Sequence, residues 1–154
     1  NSLKSIGAFG LALALFAAVT AMAADAVKVS NAWVRATMPG QKVAGAYMEL
    51  ESAAGAVLVA AHSPVAGFVE THFMTMEADV MKMRPVERLG LPAGKTVKLE
   101  PGGIHLMLVN IKKPLREGEK APLVLVVEKA DKTRTEVKVE AEVRAASHSG
   151  HDGH

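Results

Sequence analysis

The stretch Thr135-Glu136-Val137-Lys138-Val139-Glu140-Ala141-Glu142-Val143-Arg144 decides the fold class. Val137, Val139, Ala141 and Val143 alternate with Glu136, Lys138, Glu140 and Glu142, a period of two that buries one wall of a strand and wets the other. Working outward, the same alternation recurs from Asp25 onward in short runs separated by Gly, Pro or charged pairs. Half-buried antiparallel strands are expected over 26–36, 43–52, 56–62, 67–76, 80–87, 95–100, 104–111, 122–129 and 134–143. Turns are marked by Pro39-Gly40, Pro92-Ala93-Gly94, Pro101-Gly102-Gly103 and Glu117-Gly118. No long amphipathic helix is present in the pattern. Many short, regularly punctuated strands predict an all-β sandwich or barrel of about 120 residues.

The two ends read differently. Residues 6 to 19 are an uncharged apolar run preceded by Lys4 and followed by Ala21-Met22-Ala23, the layout of an export signal with small residues at a cleavage point. The run falls short of the ~20 residues that a spanning helix needs. The expected organisation is therefore a signal peptide at 1–23, a β domain at 24–144 and a flexible His-containing tail at 145–154, with periplasmic localisation and no stable membrane anchor after cleavage. With no Cys, a lipid-modified terminus is not expected either.

Composition narrows the chemistry. The 154 residues contain no Cys, which excludes disulfide scaffolds, thiolate nucleophiles, Cys-ligated zinc, iron–sulfur clusters and the blue-copper site. A net charge of +2 gives no footprint for nucleic acid. The anomaly is 8 Met and 6 His beside 1 Trp and 1 Tyr, the latter two (Trp33, Tyr47) expected as core or rim anchors.

Four methionines, at 74, 76, 81 and 83, follow closely on His72, and a second His-x-Met pair stands at His105 and Met107. Within Ile104-His105-Leu106-Met107-Leu108, alternation gives the three aliphatic residues to the core and projects imidazole and thioether together from the other face. A hairpin around Glu77-Ala78-Asp79 brings His72 and Met83 to roughly cross-strand spacing. The strand that carries His105 must then come alongside for all four groups to meet. Two imidazoles and two thioethers without thiolate or carboxylate form a soft set suited to Cu(I). The set holds no activated nucleophile or acid–base pair, so carriage of metal is expected and an enzyme is not.

Taken singly, a strand His is more often a surface or hydrogen-bonded residue, and a Met more often fills a core gap. Met48, Met74, Met76 and Met81 are read in that way, as core or as support behind the ligands, and His62 as a turn residue. The conjunction carries the weight.

The order His72, ten residues, Met83, twenty-one residues, His105, one residue, Met107 resembles the metal-binding signature of the periplasmic copper chaperone family PCu(A)C. Val80-Met81-Lys82-Met83-Arg84-Pro85-Val86, Leu91-Pro92-Ala93-Gly94, Leu99-Glu100-Pro101-Gly102-Gly103-Ile104-His105-Leu106-Met107-Leu108, Trp33-Val34-Arg35 and Gly45-Ala46-Tyr47-Met48 also look like that family's blocks. The resemblance covers nearly all of 26–143. It implies a cupredoxin-like Greek-key β-sandwich holding one Cu(I) through His72, Met83, His105 and Met107. It also implies delivery of copper to the copper A centre of cytochrome c oxidase, with Sco-type thiol proteins as partners.

His148, His151 and His154 recur every third residue at the end of the sequence, a secondary set suited to Cu(II). Two rivals stand beside the chaperone: a periplasmic copper buffer or resistance protein of the same geometry, and a non-metal adhesion or assembly sandwich in which His and Met are incidental. An electron-transfer cupredoxin is disfavoured for want of a thiolate.

Overall fold

A computed structural model describes residues 27–145. The signal peptide expected at 1–23 and the tail histidines His148, His151 and His154 lie outside the described residues. The described chain forms ten strands: β1 (Val27–Arg35), β2 (Val43–Ser52), β3 (Ala56–His62), β4 (Ala66–Glu77), β5 (Val80–Pro85), β6 (Leu89–Leu91), β7 (Thr96–Leu99), β8 (Ile104–Ile111), β9 (Lys120–Lys129) and β10 (Arg134–Arg144). No helix occurs among the described residues, and none there is long and apolar enough to cross a membrane. The fold is all-β, as the period-two pattern predicts. The expectation omits β6, because three residues are too few to show a period.

Hydrogen bonding runs in the order β5-β4-β8-β2-β1-β10-β9-β3-β6, with β7 on β2. A further pairing of β3 with β4, at Ala61 and Val69, closes the circuit into a flattened barrel. The other pairings of named strands are antiparallel, but β1 and β10 run parallel, Trp33 beside Glu142 and Arg35 beside Arg144. Closure satisfies the backbone groups that an open sheet would leave on its edges. The inward wall is aliphatic: Val34, Leu50, Leu106, Leu108, Leu123, Leu125, Val127 and Val143 are all buried. Each such side chain contributes about 1.5–3 kcal/mol of burial, so this layer fixes the register of the polar and sulfur-bearing residues on the other wall.

Strand β5 stands outside the circuit. It pairs with β4 alone, and every one of its residues is exposed. The two strands meet at a two-residue turn in which Ala78 and Asp79 have φ of 49° and 64°, the sign pattern of the type I′ turn that matches strand twist. Glu77 then faces Val80, Met76 faces Met81 and Met74 faces Met83. The β4–β5 hairpin is thus an arm that carries chemistry-bearing side chains away from the barrel wall.

Candidate functional site: a histidine and thioether face

Side-chain alternation assigns the site to the outer wall of β2, β8, β4 and β5. In β8, Leu106 and Leu108 are fully buried in the core, which turns His105 and Met107 to the opposite face. His72 lies directly opposite His105 across the β4–β8 pair, and Glu70 opposite Met107. The two imidazole centroids are 5.9 Å apart with ring planes at 79°, an edge-to-face contact. The sequence expectation that β8 comes alongside β4 therefore holds, in a tighter form than spacing alone implies.

The approach of His72 and Met83 differs in register from that expectation. The two-residue turn sets His72 against Pro85 and Met83 against Met74, so His72 and Met83 are diagonal neighbours on one face. Diagonal pairs sit at about 7–8 Å, within the span of a long thioether side chain.

Met74, Met83, His105 and Met107 line one cavity of about 320 Å³ together with Arg35, Gly45 and Tyr47. His72 is absent from that lining and meets the cavity's His105 ring edge-on. A larger cleft, about 470 Å³, lies between β3 and β4 and touches Glu70 and Pro85 but none of the four predicted ligands. Size does not choose the site here; the convergence of soft donors does.

Burial and hydrogen bonding prepare the two rings. His105 is only 3% exposed although it faces outward, because Tyr47 packs beside it with centroids 6.4 Å apart. Its Nδ1 lies 3.1 Å from the Gly103 carbonyl oxygen, an acceptor, so Nδ1 carries the proton and Nε2 keeps its lone pair. His72 is arranged in the opposite sense: Nε2 lies 2.7 Å from Glu70 Oε2, which fixes the proton there and leaves Nδ1 as the lone-pair nitrogen. That Nδ1 is buried and has no hydrogen-bond partner. An unsatisfied buried nitrogen costs about 1–3 kcal/mol, which a bound electrophile at this position would recover.

The thioethers are graded in exposure. Met107 and Met74 are half-buried, and Met83 is 51% exposed. Among the described residues no group of three or more His, Cys, Asp or Glu side chains is placed to hold a metal ion, whereas thioether sulfur lies beside His105 in this cavity. Hard ions gain little from thioethers, and the set fits a soft monovalent ion. On the reverse side of the hairpin, Glu77 accepts hydrogen bonds from Lys82 Nζ at 3.0 Å and Arg84 Nε at 3.1 Å. The Arg84 guanidinium first, and Lys82 second, hold the Glu77 carboxyl below its usual range. Charge and sulfur thus occupy opposite faces of the arm.

Sequence reasoning missed three contributors. Gly45 lies beside Met107 in the β2–β8 register, and a Cβ there would collide with the Tyr47 phenol, so only glycine lets that ring lie across the strand. Arg35 places its guanidinium 5.7 Å from the Tyr47 ring centroid, and Tyr47 packs on Trp33 at 4.5 Å. Glu70 orients His72. The legible signals were the shared strand faces of Glu70 with His72 and of Gly45 with Tyr47. Met76 and Met81 are not core residues: they are 64% and 48% exposed, because β5 has no second layer over it, whereas Met48 is buried as expected.

Solved structures of the same shape have been determined. The copper-bound PCuAC domain from PmoF2 is 30% identical with a TM-score of 0.64, covering 77% of this chain and 92% of that domain. The Cu(I) form of DR1885 from Deinococcus radiodurans is 30% identical with a TM-score of 0.56, covering 83% of each chain. Its apo form is 26% identical with a TM-score of 0.57, covering 94% of this chain and 96% of the other. The architecture is that of PCuAC domains, a cupredoxin-like β-sandwich. The LpqE-like family profile matches residues 27–139, and the chain belongs to that family. A Leifsonia xyli subsp. xyli protein, Lxx21020, whose name marks it as a candidate lipoprotein, is 34% identical over 103 residues. The match takes in 66% of this chain and 62% of that relative, so the chain spans less than two thirds of the relative's length.

Proposed function

We propose that the protein is an exported copper chaperone that binds one Cu(I) through His72, Met83, His105 and Met107. The observation that carries this reading is the direct His72–His105 pairing across β4 and β8, with Met83 and Met107 on the same outer face. Each ring has one nitrogen held by an oxygen acceptor, and the buried Nδ1 of His72 has no protein partner. Copper is cargo here. Neutral thioethers keep the site low in charge, which favours Cu(I) over Cu(II), and the exposed Met83 offers a sulfur that an incoming partner ligand displaces first. The likeness to copper-bound PCuAC domains supports the choice of metal, and the lipoprotein name of the Leifsonia relative supports export.

The acceptor in this reading is the copper A centre of cytochrome c oxidase, with Sco-type thiol proteins acting alongside, in the periplasm after removal of 1–23. A secondary Cu(II) site is assigned to His148, His151 and His154 in the tail 145–154. The β domain is taken as 24–144.

Anaerobic Cu(I) titration with X-ray absorption on the loaded protein tests the site: one copper in a mixed nitrogen and sulfur shell is expected, and an all-oxygen shell or no uptake rejects it. Gene deletion separates delivery from buffering. Delivery predicts lost oxidase activity that added copper restores, whereas buffering predicts lost copper tolerance with the oxidase intact. Equal Cu(II) stoichiometry in the full chain and in a chain ending at Arg144 rejects the tail site.

A further inference from the structure

The β4–β5 arm carries two methionine pairs, not one. Met74 faces Met83, and one step further out Met76 faces Met81. Hydrogen bonds alternate along an antiparallel ladder, and the Val86 N–H donates to the Thr71 carbonyl at 2.8 Å. Counting from that bonded pair, both methionine pairs fall at non-bonded positions, where opposing Cα atoms approach to about 4.5 Å and side chains lie closest. Residues two apart share a face, so all four thioethers stand on the face that bears His72, with the Glu77–Lys82–Arg84 ion pairs on the reverse. Met76 and Met81 are 64% and 48% exposed, with no core to fill.

We infer that Met76 and Met81, with Met74 diagonal to Met81 as third donor, form a second Cu(I) site made only of thioethers, at the outer end of the arm. A packing role does not account for two exposed methionines placed directly opposite each other. Three neutral sulfurs with no nitrogen or carboxylate among them select a soft monovalent ion and hold it weakly enough to exchange. The rows are two residues apart, about 6.8 Å along the strand, so an ion moves inward from Met81 to Met83 by exchanging one sulfur for another. That inward passage rests on the copper site proposed above; the outer site itself does not.

The test is an anaerobic Cu(I) titration of the full chain with ¹³C-methyl-labelled methionine, followed by NMR with each methyl assigned. The expected result is two events: Met83 and Met107 shift within the first equivalent, and Met76 and Met81 shift and saturate with a later one. The doubly substituted Met76→Leu, Met81→Leu chain should lose the later event and keep the first affinity within about twofold, since both residues lie off the barrel core. Met76 and Met81 methyls that stay fixed at several equivalents overturn the inference, as does a later event that persists unchanged in the double variant. Shifts at Met76 and Met81 without any at Met83 and Met107 uphold the outer site and reject the inner one.

Discussion

His72 and His105 face each other across the β4–β8 pair with their ring centroids 5.9 Å apart, and each ring has a different nitrogen committed to an oxygen. Glu70 takes Nε2 of one and the Gly103 carbonyl takes Nδ1 of the other. The pair is therefore set in tautomer as well as in place before any metal arrives.

Removing either end of the donor set should separate binding from folding. Met83 is 51% exposed, so Met83→Ala should cost under about 0.5 kcal/mol in urea unfolding while Cu(I) affinity falls by tenfold or more. His105 is 3% exposed, so His105→Ala should abolish tight Cu(I) binding and also destabilise by about 1–3 kcal/mol. Parent-like Cu(I) competition curves in both variants would falsify the assignment.

Glu70→Gln keeps the shape of the side chain but weakens its hold on the His72 Nε2 proton. Loss of such an outer partner typically costs 10–100-fold in metal affinity, and a value near the low end is expected because Glu70 is itself exposed. Thermal unfolding of the metal-free protein should hardly move. An unchanged Cu(I) affinity would mean that Glu70 does not orient the ring.

Gly45→Ala should act on the site through Tyr47. The added methyl meets the phenol, and the ring must leave its place between Arg35 and His105. Overpacking of this kind costs about 1–3 kcal/mol. Near-ultraviolet circular dichroism should report the displaced aromatic pair with Trp33, alongside weaker Cu(I) retention; an unaltered spectrum speaks against the packing described.

Acid stability should depend on Glu128. Arg88 donates to its carboxylate at 2.8 Å, and this bond, ahead of the charges of Arg88, Lys132 and Arg134, lowers its pKa in the folded state. A depressed carboxyl stabilises the fold fully above its unfolded pKa of about 4.3, and that contribution is lost as pH falls through the lower folded value. Arg88→Met should therefore flatten the fall in urea midpoint between neutral pH and that range. Identical slopes for parent and variant refute the link.

Most of the fold was legible because a two-residue period survives in nearly every strand, from Val137–Val143 back to Ile104–Leu108. Other features escaped. The parallel β1–β10 pair and the β3–β4 closure are long-range choices that leave no local mark. The register of His72 against Met83 depends on the turn type, which needs two left-handed residues, and neither Ala78 nor Asp79 is the glycine that would advertise one. The exposure of Met76 and Met81 follows from β5 having no covering layer, a fact of topology that hydrophobicity alone reads the wrong way.

The turn at Ala78 and Asp79 also acts as a phase lock. Side chains alternate along β5, so a single codon gained or lost there would advance the strand by half a period and rotate Lys82 and Arg84 to the side now held by the sulfurs. Ammonium and guanidinium groups would then confront the imidazoles, and a cation would meet repulsion where β5 now offers sulfur. The loop is free to vary in composition among descendants of this chain, but its length should tolerate no odd-numbered indel.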